Sequence, residues 1–157
     1  MFRATLRRSV ERTDRRALRE GFAGGLLATI VMTAYRLPVA RSLPPTATFW
    51  AKYVGGGDPS DYPVVALVLH LLYGAGGGVA FASAFRASER TPTEWEGVAA
   101  GTIFGVVLSV FGSRVVLGEL LDRSLDPDEA LVFHVGHLVY GLTLGTWIGS
   151  RLRDDGG

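Results

Sequence analysis

Two segments of the sequence repeat one pattern of residues that exchange protons and form hydrogen bonds. The segment at 70–78 reads HLLYGAGGG, and the segment at 137–145 reads HLVYGLTLG. Each has a histidine, then a tyrosine and a glycine three and four positions later, and a further glycine at the ninth position. Imidazole titrates near neutral pH and ligates metals, and a tyrosine hydroxyl both donates and accepts hydrogen bonds. The pattern therefore predicts a polar site in two otherwise apolar segments.

The apolar runs that contain these residues are long enough to cross a bilayer. The charged residues fall into five groups, separated by four apolar runs of about 20 residues, which is the span of a hydrocarbon core. Buried helices of soluble proteins normally keep one polar face, so a soluble bundle is the weaker alternative. We expect an all-α, polytopic membrane protein whose transmembrane domain, 20–151, has four spans. The spans are predicted at about 21–40, 63–85, 97–118 and 130–150.

The basic residues are distributed unequally between the two predicted sides of the membrane. Eleven of the 16 arginines and lysines lie before the first span, between the second and third, or in the tail at 152–157 and the residues just before it. The positive-inside rule therefore predicts a multi-pass cell-membrane protein with both termini in the cytoplasm. The arm at 1–19 is expected to form a basic amphipathic helix on anionic lipids. The alternative is a partly ordered arm that only sets the topology, and nucleic-acid binding is not expected.

The chain also shows signs of internal duplication. Glu-Gly-x-Ala-x-Gly begins at Glu20 and again at Glu96, an offset of 76 residues, and the histidine pattern recurs with an offset of 67. The four spans are therefore predicted to form two repeated helical hairpins, related by a pseudo-two-fold axis along the membrane normal.

Glycines spaced by four residues predict close contact between the helices. Small residues at this spacing let helix backbones approach each other in lipid. Glycine faces left over after the repeats pack would allow a homo-oligomer. The predicted packing positions are Gly74, Gly78, Gly97, Gly101, Gly105, Gly141 and Gly145.

The longest predicted outer loop, 41–62, contains Pro44-Pro45 followed by aromatic residues. Proline blocks helix continuation, and aromatic residues with polar edges favour the headgroup region. A short interfacial helix is expected here, acting as a surface anchor or, as the less favoured alternative, as a lid over the outer face.

Polar residues are expected to cluster in the outer leaflet, about two turns below the surface. Spans one and three reach this level with Tyr35, Arg36, Ser113 and Arg114. The candidate binding residues are His70, Tyr73, Arg114, His134, His137 and Tyr140. Ionisable residues at this depth usually face the interior of the bundle.

Three interpretations of this cluster remain open. It joins the two hairpins by hydrogen bonds; or it binds a small ligand, proton or lipid headgroup with Arg114 as the anion partner; or His70 and His137 ligate haem or a metal. No cofactor is expected under the first two interpretations. A small transporter or proton-responsive permeability factor is the main alternative to a structural or binding protein.

Enzymatic activity is not expected. The chain has no cysteine, and neither Ser109 nor Ser113 has a neighbouring histidine and acid in the sequence. No phosphate-binding glycine loop and no paired acids lie within the spans.

Several short motifs together resemble the YagU-like family of small inner-membrane proteins. They are Leu43-Pro44-Pro45, Trp95-Glu96-Gly97 and Gly136-His137-Leu138-Val139. The resemblance covers about residues 20–152 and implies a helical inner-membrane protein. An association with acid tolerance, if it extended to this chain, would suit titrating histidines. The chain departs from the family in its arginine-rich arm and its short second loop.

Overall fold

The part of the chain that the structure describes is built entirely from helices. A computed structural model describes residues 2–39, 43–86 and 93–153, with side chains within 15–39, 43–86 and 93–152. No strand occurs in these ranges, which confirms the all-α prediction for them. The helices are α1 (Phe2–Arg36), α2 (Pro45–Trp50), α3 (Pro63–Arg86), α4 (Glu94–Phe111) and α5 (Pro127–Arg153).

Two of these helices continue in a wider helical form. α2 continues as the π-helical segment Ala51–Gly55, and α4 as the π-helical segment Gly112–Leu120. A π-helical turn adds one residue to the hydrogen-bonded ring, and such turns are frequent at functional sites. The second segment matters here because it lines the cavity described below.

Three of the helices are long and apolar enough to cross a membrane: Pro63–Arg86, Glu94–Leu120 and Pro127–Leu152. Their surfaces carry large apolar side chains in the open, such as Val64 at 72% and Ile103 at 65% exposure. Apolar surface on this scale marks contact with lipid or with another protein. The predicted first span, 21–40, is not among the three. The uncharged stretch of α1, 21–35, is shorter than the roughly 20 residues that a span needs, because the helix ends at Arg36.

The predicted arm and the first predicted span belong to one helix. α1 is continuous through residue 20, and its side chains before Arg15 lie outside the described residues. The apolar face predicted for the amphipathic arm therefore lies outside the described side chains, apart from Leu18, which is 45% exposed. Residues 154–157 of the predicted tail also lie outside the described residues.

Side-chain caps fix where two of the helices begin. Thr93 and Glu96 form a reciprocal capping box at the start of α4, with Glu96 N–H donating to Thr93 Oγ1 at 3.2 Å. Asp58 accepts from Ser60 N–H at 2.8 Å and so caps the short 3₁₀ helix Pro59–Asp61 that precedes α3. This backbone hydrogen bond, helped by the Ser60 hydroxyl, holds the pKa of Asp58 below its ordinary value.

α1 and α3 are in backbone contact along a row of small residues. A Cβ atom built on Gly21 would lie 2.7 Å from the carbonyl oxygen of Gly78. One built on Gly25 would lie 2.9 Å from the Cα of Ala75. Real Cβ atoms are not found at such distances, so this packing requires glycine at both positions.

α4 and α5 make the same kind of contact. A Cβ atom on Gly97 would lie 2.6 Å from the carbonyl oxygen of Gly145, and one on Gly101 would lie 2.5 Å from the Cα of Gly145. The residues in contact in this pair follow those of the α1–α3 pair by 76 positions in the first helix and by 67 in the second.

The two pairs meet through α1 and α5. Met32, Leu144 and Ile148 are buried in the core cluster that joins these two helices. At the end of the bundle away from α2, the Trp147 Nε1–H donates to Glu20 at 3.1 Å. In contrast, α3 and α4 barely touch. The bundle is therefore closed on one side and open on the other.

Candidate ligand cavity between α3 and α4

A cavity of about 590 Å³ occupies the open side of the bundle, at the end that carries α2. Its volume falls within the range of small-molecule sites. On the side away from α2 the two helices do meet, at the rings of Phe81 and Phe104, whose centroids lie 5.3 Å apart. Apolar side chains form most of the walls: Leu69, Leu72, Leu108, Phe111, Val116 and Phe133.

α2 bridges the gap between α3 and α4. The Thr46 hydroxyl donates to the carbonyl oxygen of Ala66 in α3 at 2.7 Å. From the π-helical segment that follows α2, Lys52 Nζ and the Tyr53 hydroxyl both donate to the carbonyl oxygen of Leu120, at 2.9 and 2.6 Å. Phe49 lines the cavity from this side. α2 and the segment that follows it therefore lie over this end of the cavity.

Two polar atoms among the cavity-lining residues are buried without a hydrogen-bond partner. They are Nε2 of His70 and Nε of Arg36, and they are the two such side-chain atoms in the described part of the chain. His70 itself is only 9% exposed. Buried polar atoms are nearly always satisfied in folded proteins, so each exception calls for an explanation, such as a ligand or a water molecule.

His137 lies on the opposite wall with one of its nitrogens engaged. Its Nδ1 contacts the carbonyl oxygen of Phe133 at 2.8 Å, and a carbonyl only accepts, so Nδ1 carries the hydrogen. In the neutral ring Nε2 is then left as an acceptor. Like His70, His137 is nearly buried, at 8% exposure. The two histidines of the repeated pattern thus share one cavity.

The two tyrosines of the pattern differ. Tyr140 is buried, at 3% exposure, and its hydroxyl donates to the carbonyl oxygen of Gly74 at 2.6 Å. Tyr73 also lines the cavity but is 46% exposed. The hydrogen bond of Tyr140 joins α5 to α3 and so links the two helix pairs.

The structure places two predicted site residues outside the cavity. Arg114 is exposed on the π-helical segment after α4. His134 is also exposed, and its Nδ1 makes a short hydrogen bond with the Ser109 hydroxyl across the α4–α5 contact. Arg36 is the arginine that lines the cavity.

The Ser109–His134 contact resembles part of a catalytic pair and was not foreseen from the sequence. Ser109 is only 3% exposed, between two helices in close contact. No carboxylate is hydrogen-bonded to His134 in the described ranges. The contact forms an interhelical hydrogen bond, and no sequence pattern indicated it because the two residues lie 25 positions apart.

A second, smaller cavity of about 190 Å³ adjoins the first at the α2 end. It shares Arg36, Pro45 and Phe133 with the large cavity, and the charged residues of its other side are Arg123 and three acids. Glu129 lies 3.8 Å from Arg123 and interacts electrostatically with Arg36. We call this smaller cavity the acidic vestibule. Arg36 thus lies between the vestibule and the large apolar cavity. The acids of the vestibule are Asp126, Asp128 and Glu129.

The residues that could ligate a metal or haem are His70 and His137, since both line the large cavity. Across the described ranges, no group of three or more His, Cys, Asp or Glu side chains comes close enough to hold a metal ion. His134, the third histidine, faces α4 instead.

Comparison with protein-family models, with curated proteins and with solved structures finds no match to the chain.

Proposed function

We propose that the chain is a four-span membrane protein that binds a lipid-like ligand in the cavity between α3 and α4. The observation that carries this proposal is the cavity itself. It is apolar, it lies where two membrane-capable helices separate, and it contains the unpartnered nitrogens of His70 and Arg36. An apolar pocket with a few convergent polar groups is typical of a small-molecule site.

The packing of α1 supports a fourth span. From Gly21 to Met32, α1 lies against α3 and α5, which are both membrane-capable. Its outer surface carries exposed apolar side chains, including Phe22 at 48% and Ile30 at 54% exposure. A helix packed between two spanning helices, with an apolar outer face, suits the bilayer. The arginine distribution then favours cytoplasmic termini and an external α2.

The offsets of 76 and 67 residues between the two contact rows support a duplicated hairpin. In this proposal the hairpins are α1–α3 and α4–α5, and the cavity lies where their pseudo-symmetry breaks. α1 packs on α5, whereas the corresponding pair, α3 and α4, stands apart. The same proposal includes a relationship of the chain to YagU-like proteins.

Native mass spectrometry of the purified protein and of a filled variant tests ligand binding. Val116→Trp places an indole in the cavity, because Val116 lines it. The matched control is Val115→Trp, since Val115 is 38% exposed and does not line the cavity. We expect wild type and the control to retain bound lipid-like molecules after mild delipidation, and Val116→Trp to lose them. Equal retention by all three proteins would refute the proposal.

The acidic vestibule favours a second candidate, a proton-responsive permeability factor. Arg36 and the nearby acids connect the α2 end of the bundle with the cavity that contains His70 and His137. Under this candidate, liposomes containing the protein would show a proton leak that His137→Gln reduces. No leak above empty liposomes would eliminate it.

A further inference from the structure

We infer that the ligand of this cavity is a single-chain amphiphile with a carboxylate headgroup, such as a long-chain fatty acid. This inference rests on the proposed function, because it assigns a chemical class to the ligand of the same cavity. Four properties of the cavity lead to it.

The first property is the unpartnered Nε of Arg36. The guanidinium is always ionised and only donates hydrogen bonds, and its Nε is buried without an acceptor. A buried donor that lacks an acceptor is costly, and a negatively charged acceptor bonds a guanidinium most strongly. The missing partner is therefore an anion or a strong acceptor on the cavity side.

The second property is the imidazole of His70 in the same cavity. Its Nε2 is buried without a partner. The backbone oxygen one turn earlier, that of Ala66, accepts from Thr46. In His137 the equivalent oxygen, that of Phe133, fixes the hydrogen on Nδ1. His70 is therefore free to present a hydrogen at Nε2, and together with Arg36 it offers two donors to a two-oxygen headgroup.

The third property limits the charge of the headgroup to one. Glu129 already interacts with Arg36 from the vestibule, and Asp126 and Asp128 line the same vestibule. The cations of this vestibule are Arg36 and Arg123, and Arg123 already lies 3.8 Å from Glu129. A doubly charged phosphate beside Arg36 would therefore meet three acids with two arginines to balance them. A carboxylate carries a single charge on two oxygens and accepts well from arginine.

The fourth property limits the ligand to one chain. α3 and α4 meet at Phe81 and Phe104 on one side of the gap, and α2 bridges them on the other. The opening towards lipid is thus bounded at both ends. A single acyl chain fits such an opening with its tail against Leu72 and Phe111, which are 56% and 45% exposed.

Binding of radiolabelled palmitate to the purified protein in neutral detergent tests the inference. Unlabelled palmitate, hexadecanol and phosphatidylglycerol serve as competitors, because hexadecanol has the same chain without the charge. We expect palmitate to compete roughly tenfold or more better than hexadecanol, as a hydrogen bond to a charged group implies. Equal competition by hexadecanol, or stronger competition by phosphatidylglycerol, would overturn the carboxylate assignment.

Variants assign the headgroup site. Arg36→Gln should weaken palmitate binding by roughly tenfold or more and leave hexadecanol binding unchanged. The matched control, Arg114→Gln, lies outside the cavity and should bind like wild type. Unchanged palmitate binding in Arg36→Gln would contradict the inference. The comparison of competitors uses only the wild-type protein. It therefore tests the carboxylate assignment even if a variant fails to fold.

The outcomes separate this inference from the proposed function. If neither palmitate nor hexadecanol binds wild type, both fail. If both bind equally and Val116→Trp abolishes both, the cavity binds a chain and only the carboxylate assignment fails.

Discussion

The hydroxyl of Tyr140 in α5 donates a hydrogen bond of 2.6 Å to the backbone oxygen of Gly74 in α3. This contact ties the two helix pairs together beside the cavity. Tyr73, which occupies the same place in the other copy of the pattern, is half exposed and has no such role.

Tyr140→Phe should therefore destabilise the protein, by about 1 kcal/mol, the usual scale of a hydrogen bond between membrane helices. Unfolding in mixed micelles, followed by circular dichroism, measures this. Tyr73→Phe is the matched control and should change stability by less than about 0.5 kcal/mol. Equal losses in the two variants would contradict a linking role for Tyr140.

Gly101→Ala should destabilise the α4–α5 contact by about 2 kcal/mol, because the added methyl group would overlap the backbone of Gly145. Gly76→Ala is the control, since a Cβ atom there meets nothing within 4 Å. It should be neutral or slightly stabilising because alanine favours the helix. The same unfolding assay compares them. If Gly101→Ala were as stable as Gly76→Ala, the close backbone packing would be wrong.

Thr46→Val should loosen α2 over the cavity, because it removes the hydrogen bond to Ala66. The chain has no cysteine, so a single cysteine at Leu108 reports access to the cavity through its labelling by a maleimide. Loss of one hydrogen bond of about 1 kcal/mol predicts about fivefold faster labelling.

Thr102→Val is the control for this experiment, since the Thr102 hydroxyl bonds only to Val98 of its own helix. It should leave the labelling rate unchanged. The same rate in Thr46→Val would show that α2 does not limit access.

The number of spans can be measured with single cysteines and a membrane-impermeant maleimide on intact cells. Four spans with internal termini predict labelling of Ser60→Cys but not of Arg15→Cys or Trp95→Cys. All three positions should react after permeabilisation. Labelling of both Arg15→Cys and Ser60→Cys in intact cells would show that α1 does not cross the membrane.

Three of the helices could be predicted from the sequence to within a few residues. The apolar runs at 63–85, 97–118 and 130–150 correspond to Pro63–Arg86, Glu94–Leu120 and Pro127–Arg153. Length and hydropathy suffice for this, because both are properties of the local chain.

The residues that line the cavity could not be predicted in the same way. Arg114 is two positions from Gly112 of the cavity wall, which places it on nearly the opposite side of the helix, and Arg36 of α1 lines the cavity instead. His134 and His137 are three positions apart, which is about 60° of rotation on a helix. That difference is enough for one to face α4 and the other the cavity.

The gap between α3 and α4 could not be predicted from the sequence either. Two copies of one pattern predict a symmetric arrangement, and nothing in the repeated motifs distinguishes the α1–α5 contact from the α3–α4 gap. The difference arises from tertiary packing, in which Met32 and Leu144 fill one side.

The hydrogen bonds of α2 to Ala66, and of the segment after it to Leu120, also have a geometric consequence. Phe81 and Phe104 are in contact at the other end. The gap between α3 and α4 is therefore an opening that is bounded at both ends. The residues around this opening, and not the volume of the cavity, would then limit the width of a ligand that enters from lipid. Under the proposed lipid-binding function, a single-chain molecule would enter with these contacts intact, whereas a branched or two-chained molecule would require α2 to detach first.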